Sequence, residues 1–213
     1  TKQAGIIIGF TPIKGFKVLS VDACPIAESC ISDLIPEIKN QAVEKLPEKY
    51  RNANLVIRCG EDGRVRWGGI GKRSTRLELD DLLWIEVSGK KICYSLDTFF
   101  QANRSILPKV FRCLRDFPIW DQDSVLLDLY GGVGLFSLGL IDSVKQAVLI
   151  EDCKPAVRCA RHNVEVNRLS NVELIEGRVE DFLSEVLDRY QSEKCIAMID
   201  PPRETIPVVR FIV

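Results

Sequence analysis

Three acidic residues stand at the ends of apolar runs in this 213-residue chain: Asp128 after 125–127, Glu151 after 147–150 and Asp200 after 195–199. Gly131, Gly132 and Gly134 follow the first acid directly, and 135–141 is apolar on helical spacing. Glycines between a strand and a helix N-terminus let a ligand approach the backbone closely. An acid at the end of the next strand can accept hydrogen bonds from both hydroxyls of a ribose. The implied chemistry is nucleotide or nucleoside binding at the carboxyl edge of a parallel sheet.

The glycine spacing narrows the ligand. A dinucleotide loop has the pattern G-x-G-x-x-G, but the stretch from Gly132 reads Gly-Val-Gly-Leu-Phe-Ser, so the third glycine is missing. Asp128, just ahead of the loop, would repel a pyrophosphate and would tolerate a cationic sulfonium and amino group. The residues therefore favour S-adenosylmethionine (SAM). NAD or another nucleotide, and a purely structural loop, stay open as alternatives.

These residues need elements to hold them. Strand patterns at 125–128, 147–151, 172–176 and 195–199 alternate with helix patterns at 134–142, 154–167 and 179–191. Such alternation implies parallel strands with right-handed crossovers. The expected class is α/β, a Rossmann-like sheet preceded by a smaller α+β domain. The boundary is placed at 95, giving domains 1–95 and 96–213, the second truncated at its C-terminus. In the first domain, strands are expected at 5–10, 16–21, 54–59, 64–70 and 84–88, with a hairpin turn at Glu61-Asp62-Gly63. A helix is expected over 27–46, kinked at Pro36, and another over 104–117.

Composition adds bounds. The chain is 46% hydrophobic and 28% charged, which suits one or two domains with their own cores. A net charge of −1 gives no global attraction to nucleic acid, so any RNA surface must be local. Arg64, Arg66, Lys72, Arg73 and Arg76, with Trp67 among them, form such a cluster; a solvated hairpin face is the other reading. Eight cysteines without a CxxC pair suggest reduced thiols and a cytoplasmic protein. No run reaches the ~18 apolar residues of a membrane span, and nothing in the sequence names a protein partner. His162 reads as a surface helix position. The first residue is Thr1 and a strand-like run stops at Val213, so a fragment of a longer chain is expected.

Four ordered segments carry a resemblance: Phe-Phe-Gln101-Ala-Asn, Asp128-Leu-Tyr130-Gly-Gly132-Val-Gly134-Leu135-Phe, Val-Leu-Ile-Glu151 and Ile-Asp200-Pro-Pro-Arg203. With Cys24-Pro-Ile in the first domain, the chain resembles the RNA uracil-C5 methyltransferases over nearly its whole length. The resemblance implies a transferase that forms 5-methyluridine in RNA, leaning to ribosomal over transfer RNA, with SAM as methyl donor. It implies cofactor-binding roles for Gln101, Asp128, Tyr130, Gly132, Gly134, Leu135, Glu151 and Asp200. Glu151 would take the ribose, and Asp200 would sit between cofactor and target base. Phe99 and Phe100 could equally be plain core.

The chain departs from the family at Leu135, where Asn is common, at Gly131, often Cys or Ala, and at Arg178, often a smaller polar group. Arg203 stands where amine methyltransferases carry an aromatic, which argues for another target atom. The family nucleophile is a Cys in a Ser-Cys-x-Pro turn, expected roughly 15–40 residues beyond Val213, so no catalytic residue is expected within the 213. A truncated or degenerate module that binds SAM or RNA without turnover is the alternative; a SAM methyltransferase acting on another nucleic-acid or small-molecule position is a third. No metal is expected, although Cys24 matches the last ligand of the iron–sulfur cluster in some relatives.

Overall fold

The computed structural model describes residues 17–45, 54–70 and 81–201, with Ile7, Gly9, Phe10, Pro12 and Lys14 ahead of them. The chain divides into two compact units, Thr1–Leu83 and Trp84–Val213. The division falls earlier than the boundary expected at 95.

In the first unit, β1 (Gly9–Phe10) pairs antiparallel with β2 (Leu19–Ser20). The helical pattern at 27–46 forms two helices, α1 (Ser29–Ser32) and α2 (Ile35–Lys45), with a break at Asp33 and Leu34. Pro36 therefore does not kink a long helix. It stands in the first turn of α2, where a missing N–H costs nothing. Ile35 and Ile38 are buried on one face. β3 (Asn54–Cys59) and β4 (Val65–Ile70) form the expected hairpin, with Gly63 at φ +74° in its turn.

From the division onward, β5 (Leu83–Val87) and β6 (Lys90–Tyr94) make a two-stranded hairpin. Ser88 and Gly89 both have positive φ, the geometry of a tight primed turn. β6 was not expected from the sequence. α3 (Leu107–Arg115) follows a short 3-10 turn at Arg104–Ile106. The remaining elements are β7 (Asp121–Leu129), α4 (Leu135–Leu140), β8 (Val144–Glu151), α5 (Lys154–Val166), β9 (Val172–Glu176), α6 (Val179–Arg189) and β10 (Cys195–Ile199).

The four sheet strands lie in the order β10-β7-β8-β9 and are all parallel. Chain order thus runs outward from β7 through β8 to β9, then returns to β7's other side at β10. Ligands bind beyond the strand ends where such an order reverses. Alternation along β7 sends Val125, Leu127 and Leu129 into a core with Val148, Ile150, and Val179 and Val186 of α6. The intervening residues, Leu126 and Asp128, face the opposite layer, where Asp128 meets Ser137 of α4. β10 occupies the strand pattern expected at 195–199. Cys195, Ala197 and Ile199 are exposed, and among the described residues the strand pairs on one side only, with β7. Among the described residues, no helix is long and apolar enough to cross a membrane.

Asn163 on α5 and Asn167 at its C-cap close the edge of β6. The Asn163 side chain accepts from Cys93 N–H at 2.7 Å and donates to Cys93 C=O at 2.9 Å. Asn167, one turn on, does the same with Lys91 at 2.9 and 2.8 Å. Side-chain amides so spaced match alternate backbone groups of a strand, and they satisfy an edge that would otherwise present unpaired donors and acceptors.

Candidate functional site

The site is built from strand ends. Register pairs Leu129 of β7 with Ile150 of β8 and Ile199 of β10, so Glu151 and Asp200 stand one residue beyond, level with Tyr130. Asp128 lies two residues back from that level, in the same layer. The negative charges of Glu151 and Asp200 both act on the Asp128 carboxyl.

Asp128 is 1% exposed. Its Oδ2 accepts from Ser137 N–H at 2.9 Å and from Ser137 Oγ–H at 2.6 Å. Ser137 is the third residue of α4, whose N-cap is Gly134 and offers no side chain. Asp128 thus serves as a remote cap for an otherwise open helix start. Burial pushes its carboxyl up to about 6; the Ser137 bonds pull the other way, and the neighbouring carboxylates add to the rise. A buried anion beside two more acids is a place that favours a cation.

The turn after β7 brings the loop onto Glu151. Gly134 has φ +86°, which few residues other than glycine adopt. A Cβ on Gly131 would stand 2.5 Å from Leu149 Cγ and 3.1 Å from Asp128 Cγ. Leu149 takes the room that the Cys or Ala often found at this position would need. Gly132 N–H donates to Glu151 Oε2 at 2.8 Å, and the N–H groups of Asp152 and Cys153 donate to Oε1 at 3.0 and 2.8 Å. A carboxylate accepts about four hydrogen bonds. Acceptance from both ribose hydroxyls, expected from the sequence, therefore requires one backbone N–H to give way.

The other expected residues are distributed as follows. Tyr130 has φ +63° and donates its hydroxyl to Glu180 Oε1 at 2.9 Å, which fixes it on the α6 side of the loop. Arg178 stands at the N-cap position of α6 without a side-chain capping bond and pairs with Glu180 at 3.5 Å. Leu135 is buried at the start of α4, so the polar contact an Asn would offer is replaced by packing. Gln101 is half-buried, and no hydrogen bond joins it to the three acids among the described residues. The preceding turn lies near α5, since the charge of Asp97 acts on the thiols of Cys153 and Cys159. Phe100 is buried and stacked on Tyr94 with ring centroids 4.0 Å apart, whereas Phe99 is 73% exposed. The two phenylalanines thus divide between core and surface.

Of the basic cluster, Arg64 pairs with Asp62 and Arg66 with Asp81. Lys72, Arg73 and Arg76 lie outside the described residues, as do Pro202 and Arg203. His162 is exposed on α5. Ser137 was missed as a site residue; its place three residues beyond the helix cap is the signal that could have found it.

The cysteines near the site are poor nucleophiles as they stand. Burial pushes the Cys159 thiol up to about 11, and it also raises Cys153, with Glu151 and Asp152 adding to the rise. Cys195, exposed at the far end of β10, is raised by partial desolvation and by the charge of Glu193.

A family model described as tRNA (Uracil-5-)-methyltransferase matches residues 70–206. The tRNA (uracil-5-)-methyltransferase homolog A of Mus musculus is 35% identical over 124 residues, 58% of this chain and 20% of that protein. The 23S rRNA (uracil(1939)-C(5))-methyltransferase RlmD of Haemophilus parainfluenzae is 28% identical over 95% of this chain and 52% of its own length. Among solved structures, Pyrococcus abyssi tRNA (uracil-54, C5)-methyltransferase in complex with S-adenosyl-L-homocysteine superposes with a TM-score of 0.61. It is 18% identical and covers 76% of this chain and 50% of that one, a likeness of fold. The chain spans between a fifth and about half the length of these curated relatives.

Proposed function

The chain belongs to the tRNA (uracil-5-)-methyltransferase family, and from that membership we propose that it is the SAM-binding part of an enzyme forming 5-methyluridine in RNA. One observation carries the reading. Three carboxylates gather at the carboxyl ends of three adjacent parallel strands, around a glycine turn at the point where strand order reverses.

The donor set fits SAM. Asp128, buried and short of a cation, would face the positively charged end of the cofactor. Glu151 would take the ribose, and the Gly132–Gly134 turn would lie against the nucleoside. Tyr130, Leu135 and Gln101 would complete the walls, with Asp200 between cofactor and base. When bound, SAM supplies an electrophilic methyl group. Uracil C5 attacks such a group only after a thiolate adds to C6, and a base must then remove the C5 proton. Desolvation raises the thiols of Cys153, Cys159 and Cys195, which disfavours the thiolate form at each. On the family resemblance, the nucleophile and the base are assigned to residues outside these 213. Ribosomal RNA is placed ahead of transfer RNA on the Cys24-Pro25-Ile26 resemblance alone, and parallel methylation assays on the two RNA classes decide between them.

Glu151→Ala is expected to weaken SAM binding by roughly 10–100-fold, the worth of a hydrogen bond to a charged group. Calorimetry reads the affinity, and a thermal melt of the same variant separates lost contacts from a loosened loop. Unchanged affinity in a folded variant would remove Glu151 from the site.

The second reading, a module that binds without turnover, draws on the same raised thiols. RNA carrying 5-fluorouridine separates the two. The full-length protein that carries this chain should form a covalent adduct requiring both SAM and a cysteine outside residues 1–213. Binding of SAM and RNA with no adduct would favour the module.

A further inference from the structure

The first unit contains a cluster that the cofactor site does not use. Cys30 lies on α1 and Cys59 ends β3, 29 residues apart in the chain, yet their Sγ atoms are 2.7 Å apart. The exposed carboxylate of Glu28 joins them. One ligand atom from each of Glu28, Cys30 and Cys59 lies within 4.8 Å of the other two. Cys59 is 4% exposed and Cys30 half-buried, so the sulfurs sit at the edge of the core with the carboxylate on the solvent side.

We propose that Glu28, Cys30 and Cys59 form a binding site for a soft divalent cation of the zinc type, tying α1 to the end of β3. The chemistry suits that metal. Two thiolates and a carboxylate are a mixed sulfur–oxygen set that zinc accepts at about 2.3 Å for sulfur and about 2.0–2.2 Å for oxygen. Tetrahedral angles at those lengths place two sulfurs about 3.8 Å apart. The pair has only to open by roughly 1 Å, a side-chain rotation, to admit the ion. Each thiol loses its proton to solvent as the metal–sulfur bond forms, so one cation displaces two protons. The fourth position goes to water, which the exposed side of Glu28 leaves accessible.

Cys24 is outside this group. Its backbone N–H donates to Ser32 Oγ at 2.9 Å, and no other cluster of possible metal ligands joins it among the described residues. The site is therefore distinct from the iron–sulfur ligand that Cys24 resembles.

The test is titration of the reduced 213-residue chain with Co²⁺, followed by Zn²⁺. The expected result is one Co²⁺ per chain with a thiolate-to-cobalt charge-transfer band, lost when Zn²⁺ displaces it. Cys30→Ser and Cys59→Ser should each abolish that band. Cys24→Ser and the exposed-thiol variant Cys113→Ser should keep it. Glu28→Gln should weaken binding by about tenfold. Zn²⁺ should also raise the melting temperature of the wild-type chain and not that of the double variant Cys30→Ser/Cys59→Ser, a readout that survives if one single variant folds poorly. The proposal is overturned if the reduced chain takes up no cation, or if the band persists in the double variant. A Cys30–Cys59 disulfide in freshly isolated protein would overturn it equally.

Discussion

Asp128→Asn is expected to make the protein more stable above pH 6 and a weaker binder of SAM. The ordinary carboxyl value of 3.8 rises to about 6 in the folded chain, first because Asp128 is buried. Below 3.8 the acid is protonated whether the chain is folded or not. Between 3.8 and about 6 the folded chain keeps a proton that the unfolded chain has released. Stability therefore falls as pH rises through that window and is level beyond it. A shift of this size corresponds to about 3 kcal/mol at neutral pH. The Asn side-chain oxygen can still accept both Ser137 bonds. Its NH₂ takes the place of the other oxygen, and any bond it fails to make reduces the gain. Urea unfolding at pH 5 and pH 8 reads the effect: wild type should lose stability between them, and the variant should not. The same slope in both would show that Asp128 carries its charge at no cost.

The cofactor arm of that prediction has the opposite sign. A cation seated against Asp128 favours its charged form, so SAM affinity in wild type should fall as pH drops below about 6. The variant has no charge to regain. Its affinity should be lower by about tenfold at pH 8 and flat with pH. Stability would thus be given up for function at one buried carboxylate, a trade common at binding sites.

Asn163→Leu is expected to cost about 3–5 kcal/mol, a third or more of the stability of a typical domain. Asn163 is fully buried. Its Oδ1 accepts from Cys93 N–H, and its Nδ2 donates to Cys93 C=O and, at 2.9 Å, to Val133 C=O within the glycine turn. Leucine has similar bulk and leaves three backbone groups without partners, two of them on buried Cys93 and one on buried Val133. Asn167→Leu removes the equivalent bonds to Lys91, but Lys91 is exposed and water replaces them, so the expected cost is about 1 kcal/mol. Chemical denaturation of the two variants checks the contrast. Amide exchange at Cys93 should quicken in Asn163→Leu alone; equal costs for the two variants would deny Asn163 its special place.

Much of the site was legible in the residues because the relevant instructions are local. Apolar strand runs, a glycine that must adopt positive φ, and a helix-spaced pattern after it are read within a dozen neighbours. A parallel sheet then leaves an acid at a strand's end nowhere but the carboxyl edge. That is why Asp128, Glu151 and Asp200 could be grouped before any coordinates. The helix at 27–46 was misjudged because periodicity continues across a break, and Pro36 begins a helix as readily as it bends one. β6 was missed because Lys90–Tyr94 has no clean alternation: Ile92, Cys93 and Tyr94 are all buried, between a tight turn and α5.

Residue order alone specifies the strand–glycine turn–helix unit, the succession of parallel elements and the acids at their tips, since each depends on backbone preferences of adjacent residues. What those groups touch depends on how the elements pack. Ser137 bonds to Asp128, three backbone N–H groups occupy Glu151, Asn163 meets Cys93 across 70 residues and Cys30 meets Cys59 across 29. Such pairs leave no periodic trace, because a polar side chain on a helix looks the same whether it faces water or a strand edge. Packing brings the partner, and the cost of leaving a buried donor or acceptor unpaired then fixes the contact.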